Sequence, residues 1–175
     1  MLQRVKQLWA ALTAEISDSD KKYIRQLLEP DLQELFFAMT VGDQAHALRV
    51  ARTAEELAGE KGMAVNLKLL KRCALLHDIG RGAEAGTPFA KTMAVLLKKY
   101  AAVWCERQAK LKPEDLQGYW QRIIWRHHHH AGLGAEILSS LGAVKEAEVI
   151  ALHHSKEQAG EIAELKLLRL ADEMN

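Results

Sequence analysis

The sequence predicts an all-α protein. Three observations carry that expectation. Apolar residues recur at helical steps of three and four almost throughout, not at the alternating spacing of strands. No stretch reads as a strand, an internal repeat or a low-complexity tract. Two of the three prolines, Pro30 and Pro88, stand where helices would begin. Nine or ten helices fit this pattern. A chain of 175 residues is long enough for one domain with a full core and short for two.

Taken in order, the chain opens on MLQRVKQLWAAL, an amphipathic stretch without the cleavage region of a signal peptide. Pro30 opens PDLQELFFAM. Asp43 is a candidate cap for the next helix, whose inner stripe reads His46, Val50, Ala54 and Leu57. Asn66 can cap LKLLKRCALLHDIG, where Leu67, Leu70 and Ala74 lead to His77 and Asp78, and Gly80 is a candidate stop. Thr87 and Pro88 form a cap and first helical residue. The stretch 81–126 is the least constrained and reads as an insertion. Its Lys98, Lys99, Arg107, Lys110 and Lys112 read as a solvated face, and Trp104, Trp120 and Trp125 as packing residues.

Four consecutive histidines, 127–130, lie inside IIWRHHHHAGLGAEIL. An internal run between an apolar stretch and a helix is a poor place for an expression tag. His130 begins a stripe with Gly134, Ile137 and Leu141, at steps of four, three and four. His127 lies one turn earlier, and His128 and His129 are expected toward solvent or behind the ligands. Further on, Ile150 leads to His153 and His154. On the last helix Asp172 shares a face with Leu165 and Leu168.

Composition narrows the function classes. Hydrophobic residues make up 49% and charged residues 27%, as in ordinary globular domains. A formal charge of +1 gives no mandate for nucleic acid or an anionic membrane, and no apolar run nears the ~20 residues of a membrane span. Cys73 and Cys105 lack metal-type spacing and point to a reducing compartment. A cytoplasmic protein is expected.

Five separate helices thus bring an imidazole or carboxylate to a face that should be buried. A buried carboxylate without a partner is costly. One divalent cation satisfies imidazoles and carboxylates together, so a metal site accounts for all five at once.

The segments HALRVA, ALLHDIG and LRLADEMN resemble the HD domain superfamily of metal-dependent phosphohydrolases, with LLHDIG the most specific. The resemblance runs from about residue 43 to the C-terminus. It implies an HD-domain helical bundle over 43–175, with 1–42 as added N-terminal helices packed on it. It also implies that His46, His77, Asp78 and Asp172 hold one metal. Members with two metals add a histidine in an H-x-x-x-G-A segment and another at an HH pair. HAGLGA and ALHHS match those, which adds His130 and either His153 or His154, with Asp78 bridging. The implied cofactor is a divalent metal, two ions of iron or manganese, with magnesium, cobalt, nickel or zinc as alternatives.

Departures from the family matter as well. The cyclic-dinucleotide phosphodiesterases carry Gly-Tyr-Pro soon after the HH pair, whereas this chain reads HHSKEQAGEIAEL. HDIGR stands where many members have HDIGK. Arg81 keeps the charge and offers a fork suited to phosphate oxygens. The resemblance therefore implies hydrolysis of a phosphomonoester, phosphodiester or phosphoanhydride by metal-activated water. Asp78 and Arg81 are the catalytic candidates. The expected partner is a small phosphorylated substrate, nucleotides included, with no nucleic acid and no membrane, for a monomer or homodimer. Two rivals share the ligand set: a di-iron oxygenase acting on a small organic substrate, and a non-catalytic metal-binding signalling domain.

Overall fold

The computed structural model describes residues 15–62, 64–155 and 162–175. All regular structure among them is helical, as the periodicity predicts. The amphipathic opening stretch lies outside the described residues.

Helix α1 (Asp18–Leu27) starts at a capping box, in which the Ser17 hydroxyl accepts from the Asp20 N–H and Asp20 accepts from the Ser17 N–H. Helix α2 (Pro30–Phe37) has Pro30 in its first turn, as expected. Ile24, Leu32 and Phe36 from this pair are buried in the same core as the helices that follow. Helix α3 (Val41–Lys61) ends on Gly62 with φ 57°, the left-handed conformation that glycine adopts without strain. Helix α4 (Leu67–Leu76) begins where the Asn66 side chain accepts from the Leu69 N–H, also as expected.

A 3-10 turn (Ile79–Arg81), α5 (Gly82–Gly86), α6 (Pro88–Tyr100), α7 (Ala102–Ala109) and a second 3-10 turn (Pro113–Asp115) follow. Helix α8 (Tyr119–Ser140) carries the histidine run. Helices α9 (Val144–Leu152) and α10 (Ala163–Met174) complete the bundle. Helix α3 packs along α4 and α10, and α8 packs along α9 and the first 3-10 turn. Helix α4 joins the two groups by touching α9 and α10. The segment read as an insertion builds a smaller apolar cluster of its own from Ala85, Ala90, Ala94 and Cys105. Ile123 and Ile124 of α8 join it, with Trp104 and Trp120 packed alongside.

Four local expectations are corrected. The cap of α3 is Thr40, whose hydroxyl oxygen accepts from the Asp43 N–H. Asp43 sits one turn inside, buried against Lys91 of α6 and the Thr40 hydroxyl, so a tertiary ion pair uses it and not the cap. Gly80 does not stop α4, which ends at Leu76. Leu67, in the first turn of α4, is exposed. On α8, Ile137 and Leu141 are 36% and 44% exposed while Leu138 is fully buried. The inner stripe therefore runs 130, 134, 138, a constant step of four that drifts from the helical period of 3.6, so packing and not periodicity selects it.

One ion-pair group, largely buried at Arg72 and Glu146 and exposed at Glu29, braces the bundle. Arg72 of α4 places Nε 2.5 Å from Glu146 Oε1 on α9 and Nη1 2.6 Å from Glu29 Oε1 just before α2. Among the described residues no helix is long and apolar enough to cross a membrane.

Candidate metal centre

The centre assembles at the ends of helices. His77 is the C-cap of α4 and Asp78 follows it in the turn leading to Ile79. His153 is the C-cap of α9, with His154 next. His130 lies within α8, His46 within α3 and Asp172 within α10. All seven residues expected as ligands come together, in two groups. Donor atoms of His46, His77 and Asp172 lie within 4.8 Å of one another, and so do those of His130, His153 and His154. The rings form a continuous row: His46 to His77 5.4 Å, His77 to His153 5.5 Å, His153 to His130 5.2 Å and His130 to His154 4.8 Å between centroids.

Asp78 joins the groups. Its Oδ2 lies 3.6 Å from His77 Nε2 and its Oδ1 3.4 Å from His130 Nε2. Across the first group, Asp172 Oδ1 stands 3.0 Å from His46 Nε2 and 3.6 Å from His77 Nε2. The chain brings Asp78 and His130 this close because Gly80 lies directly against the backbone of α8. A Cβ on Gly80 would come within 2.0 Å of the His130 carbonyl oxygen and 2.6 Å of the Gly134 nitrogen, whereas one on Gly134 would make only ordinary contacts from 3.4 Å. The turn could not approach α8 so nearly with a larger residue at position 80.

Each of the three deepest imidazoles has its tautomer set by its own helix turn. The Nδ1–H of His77 donates to the Ala74 carbonyl at 2.9 Å, that of His130 to the His127 carbonyl at 2.9 Å, and that of His153 to the Ile150 carbonyl at 2.7 Å. Nε2 of each ring is thereby left as a lone-pair donor, the arrangement that metal-ligating histidines use. These Nε2 atoms and both Asp78 carboxylate oxygens are buried and make no hydrogen bond, and only Asp78 Oδ1 has a close ion-pair partner, the Arg81 guanidinium. Five such buried polar atoms in one cluster, relieved only by Arg81 at Asp78 Oδ1, make a costly arrangement for a core. Divalent cations would satisfy all of them, so the donor set fits metal.

Protonation agrees with that role. Burial pushes the His153 imidazole far down, and the charges on His77 and His154 add to the effect. Burial, then the nearby His130, lowers His154 to about 4. Burial also lowers His46, against the pull of Asp172. Burial opposes charge on His77 as well, but Asp78 and Asp172 outweigh it and raise that group. Burial works against the Asp78 carboxylate too, yet Arg81, His77 and His130 hold it well below the usual range. Asp172 is lowered despite burial, chiefly by its bonds with His46 and His77. Apart from His77, these are neutral imidazoles beside ionised carboxylates, the forms that bind a cation.

Arg81 lies on Asp78, with Nε 2.9 Å from Oδ1. Of the histidine run, His127 is half-buried and pushed to about 3 by burial and by Arg81. His128 is exposed. His129 donates Nε2–H to the Ala109 carbonyl at 2.8 Å and lies against Trp125. Trp125 itself donates to the Leu111 carbonyl at 3.0 Å. His129 and Trp125 thus tie α8 to the insertion, while of the four histidines His130 is the one paired with the Asp78 carboxylate.

A cavity of about 300 Å³ opens beside the ligands, lined by His153, His154, Ser155, Arg169, Asp172 and Glu173. Sequence reasoning missed Arg169. It reads as the polar side of an amphipathic helix, and nothing local marks its partners. The family model of the HD domain matches residues 44–175. No curated protein and no solved structure gives a match.

Proposed function

The chain belongs to the HD domain family, and from that premise we propose that it is a metal-dependent phosphohydrolase acting on a small phosphorylated substrate, nucleotides among the candidates. One observation carries the reading. Nε2 of His77, His130 and His153 and both oxygens of Asp78 are buried without a hydrogen bond, with Arg81 beside Asp78 Oδ1, and converge from four elements. In this reading His46, His77 and Asp172 hold one divalent cation, His130, His153 and His154 hold a second, and the Asp78 carboxylate lies between them. Divalent cations in such a site polarise a phosphoryl oxygen and lower the pKa of water near neutrality.

The chain's own residues supply the rest. Asp78 stays ionised because Arg81 sits against it, and the guanidinium adds positive charge beside the place where a phosphoryl group would develop negative charge. His127, held neutral near physiological pH, is a poor proton donor to a leaving group. The cavity, bordered by His153, His154 and Asp172, lies at the small end of the range for small-molecule sites, which suits a compact phosphoester better than a polymer.

The test is phosphate or nucleotide release over a broad panel of phosphoesters by the manganese- or iron-loaded protein. A His77→Ala, Asp78→Ala double variant controls for contaminating phosphatases. Turnover that vanishes in the variant supports the reading and names the substrate class. Metal uptake without release from any panel member refutes it, and oxygen consumption by the same preparation would assign the di-iron oxygenase alternative.

A further inference from the structure

We propose that Arg169 is a positioning residue for His153 and His154, so that the second metal position depends on a guanidinium that touches no metal. The inference rests on the two-cation reading above and extends it to a residue outside the ligand set.

Helix α9 ends at Leu152, and a helix end leaves its last carbonyls without helical partners. The His153 N–H and Nδ1–H both go to Ile150 O, at 3.3 and 2.7 Å. The next carbonyls are gathered by one side chain from α10. Arg169 Nη2 donates to Leu152 O at 2.5 Å and to Ser155 O at 2.7 Å, and its Nε donates to His153 O at 3.2 Å. Three carbonyls of a four-residue turn thus converge on one planar fork of donors. A flexible ammonium could not reproduce that geometry. Both residues of the HH pair lie within the span that is gripped.

Helix α10 therefore serves both groups. Asp172, three residues after Arg169, shares its face and enters the first group directly. Arg169 reaches the second group only through the backbone of the turn. Without the guanidinium, the His153 ring keeps its tautomer from Ile150. What is lost is the fixed placement of the turn relative to His130 on α8.

The test uses metal binding and no substrate. The stripped full-length chain is titrated with cobalt(II), read by its visible absorbance, and with manganese(II), counted per chain. Arg169→Ala should keep one tight ion and bind the second roughly 10- to 100-fold more weakly, the usual cost of removing an outer-shell partner. Arg169→Lys should fall between the two, since one ammonium can reach only part of the carbonyl set. Wild-type affinity for both ions in Arg169→Ala overturns the proposal, and so does equal loss of both. If Arg169→Ala does not fold, Arg169→Lys decides: an unchanged second affinity overturns the proposal. Uptake of fewer than two ions by the wild type overturns the two-cation reading itself, and is seen before any variant is made.

Discussion

Gly80→Ala tests how the centre is held together. A Cβ there would lie 2.0 Å from the His130 carbonyl oxygen, 2.6 Å from the Gly134 nitrogen and 2.9 Å from the His130 carbonyl carbon. All three are backbone atoms of α8, so no side chain can rotate away. Ordinary contact begins near 3.4 Å, and the turn and α8 would have to part by roughly 1 Å or more. Overpacking of this kind costs about 1–3 kcal/mol, or a fall in Tm of about 2–12 °C for a domain of this size. The same movement draws His130 Nε2 away from Asp78 Oδ1, now 3.4 Å distant, and should weaken metal uptake. Gly132→Ala is the matched control. It lies on the same helix, exposed, with nothing within 4 Å of its added Cβ, and should gain about 0.5–1 kcal/mol from helix propensity. Thermal melting and metal counting read both variants. A Gly80→Ala protein that melts and loads like the wild type would refute the close-approach argument.

Arg72→Ala should cost about 3–5 kcal/mol, because it leaves Glu146 buried without its partner; denaturant melting reads this, and a loss under 1 kcal/mol would contradict it. In the metal-stripped protein, His153 and His127 have folded pKa values below the unfolded value. Their contribution to stability is therefore present above about pH 6.5 and lost as pH falls, at about 1.4 kcal/mol per pH unit for each. His77, raised by Asp78 and Asp172 against its burial, works in the opposite sense but is one group against several. Denaturant melts of the stripped chain should therefore show lower stability at pH 5.5 than at pH 7.5, and equal values would count against neutral burial. Finally, chelation should lower Tm and manganese should restore it, since a cation bound only by the folded state stabilises it; melting unaffected by either would argue that the five buried atoms of the cluster do not bind metal.

Much of the site was legible because its residues announce themselves locally. His46, His77, Asp78, His130 and Asp172 each break an apolar stripe, and the stripes themselves come from helical period. All of them, with the HH pair, meet in the fold. The errors arose where the deciding partner is distant in sequence. Asp43 looks like a cap from its neighbours, but Lys91 of α6 claims it. Steps of four, three and four from His130 match the helical period better than 130, 134, 138, and only packing against α9 and the 3-10 turn shows that Leu138 is the buried one. Gly80 looked like a helix stop because glycine often is one; its real constraint is a backbone 50 residues away. Arg169 has no local signature at all, since its acceptors are main-chain oxygens 14 to 17 positions earlier.

The anchoring of the three deepest rings bears on how freely this sequence can drift. His77, His130 and His153 each donate to the main-chain oxygen three positions before it, and every amino acid supplies that oxygen. Replacement of Ala74, His127 or Ile150 by another helix-compatible residue leaves the acceptor in place. A ligand oriented by a neighbouring carboxylate would be lost to a single codon change in that neighbour. Here the orientation of each ring is inherited with the helix and makes no demand on the side chain three positions before it.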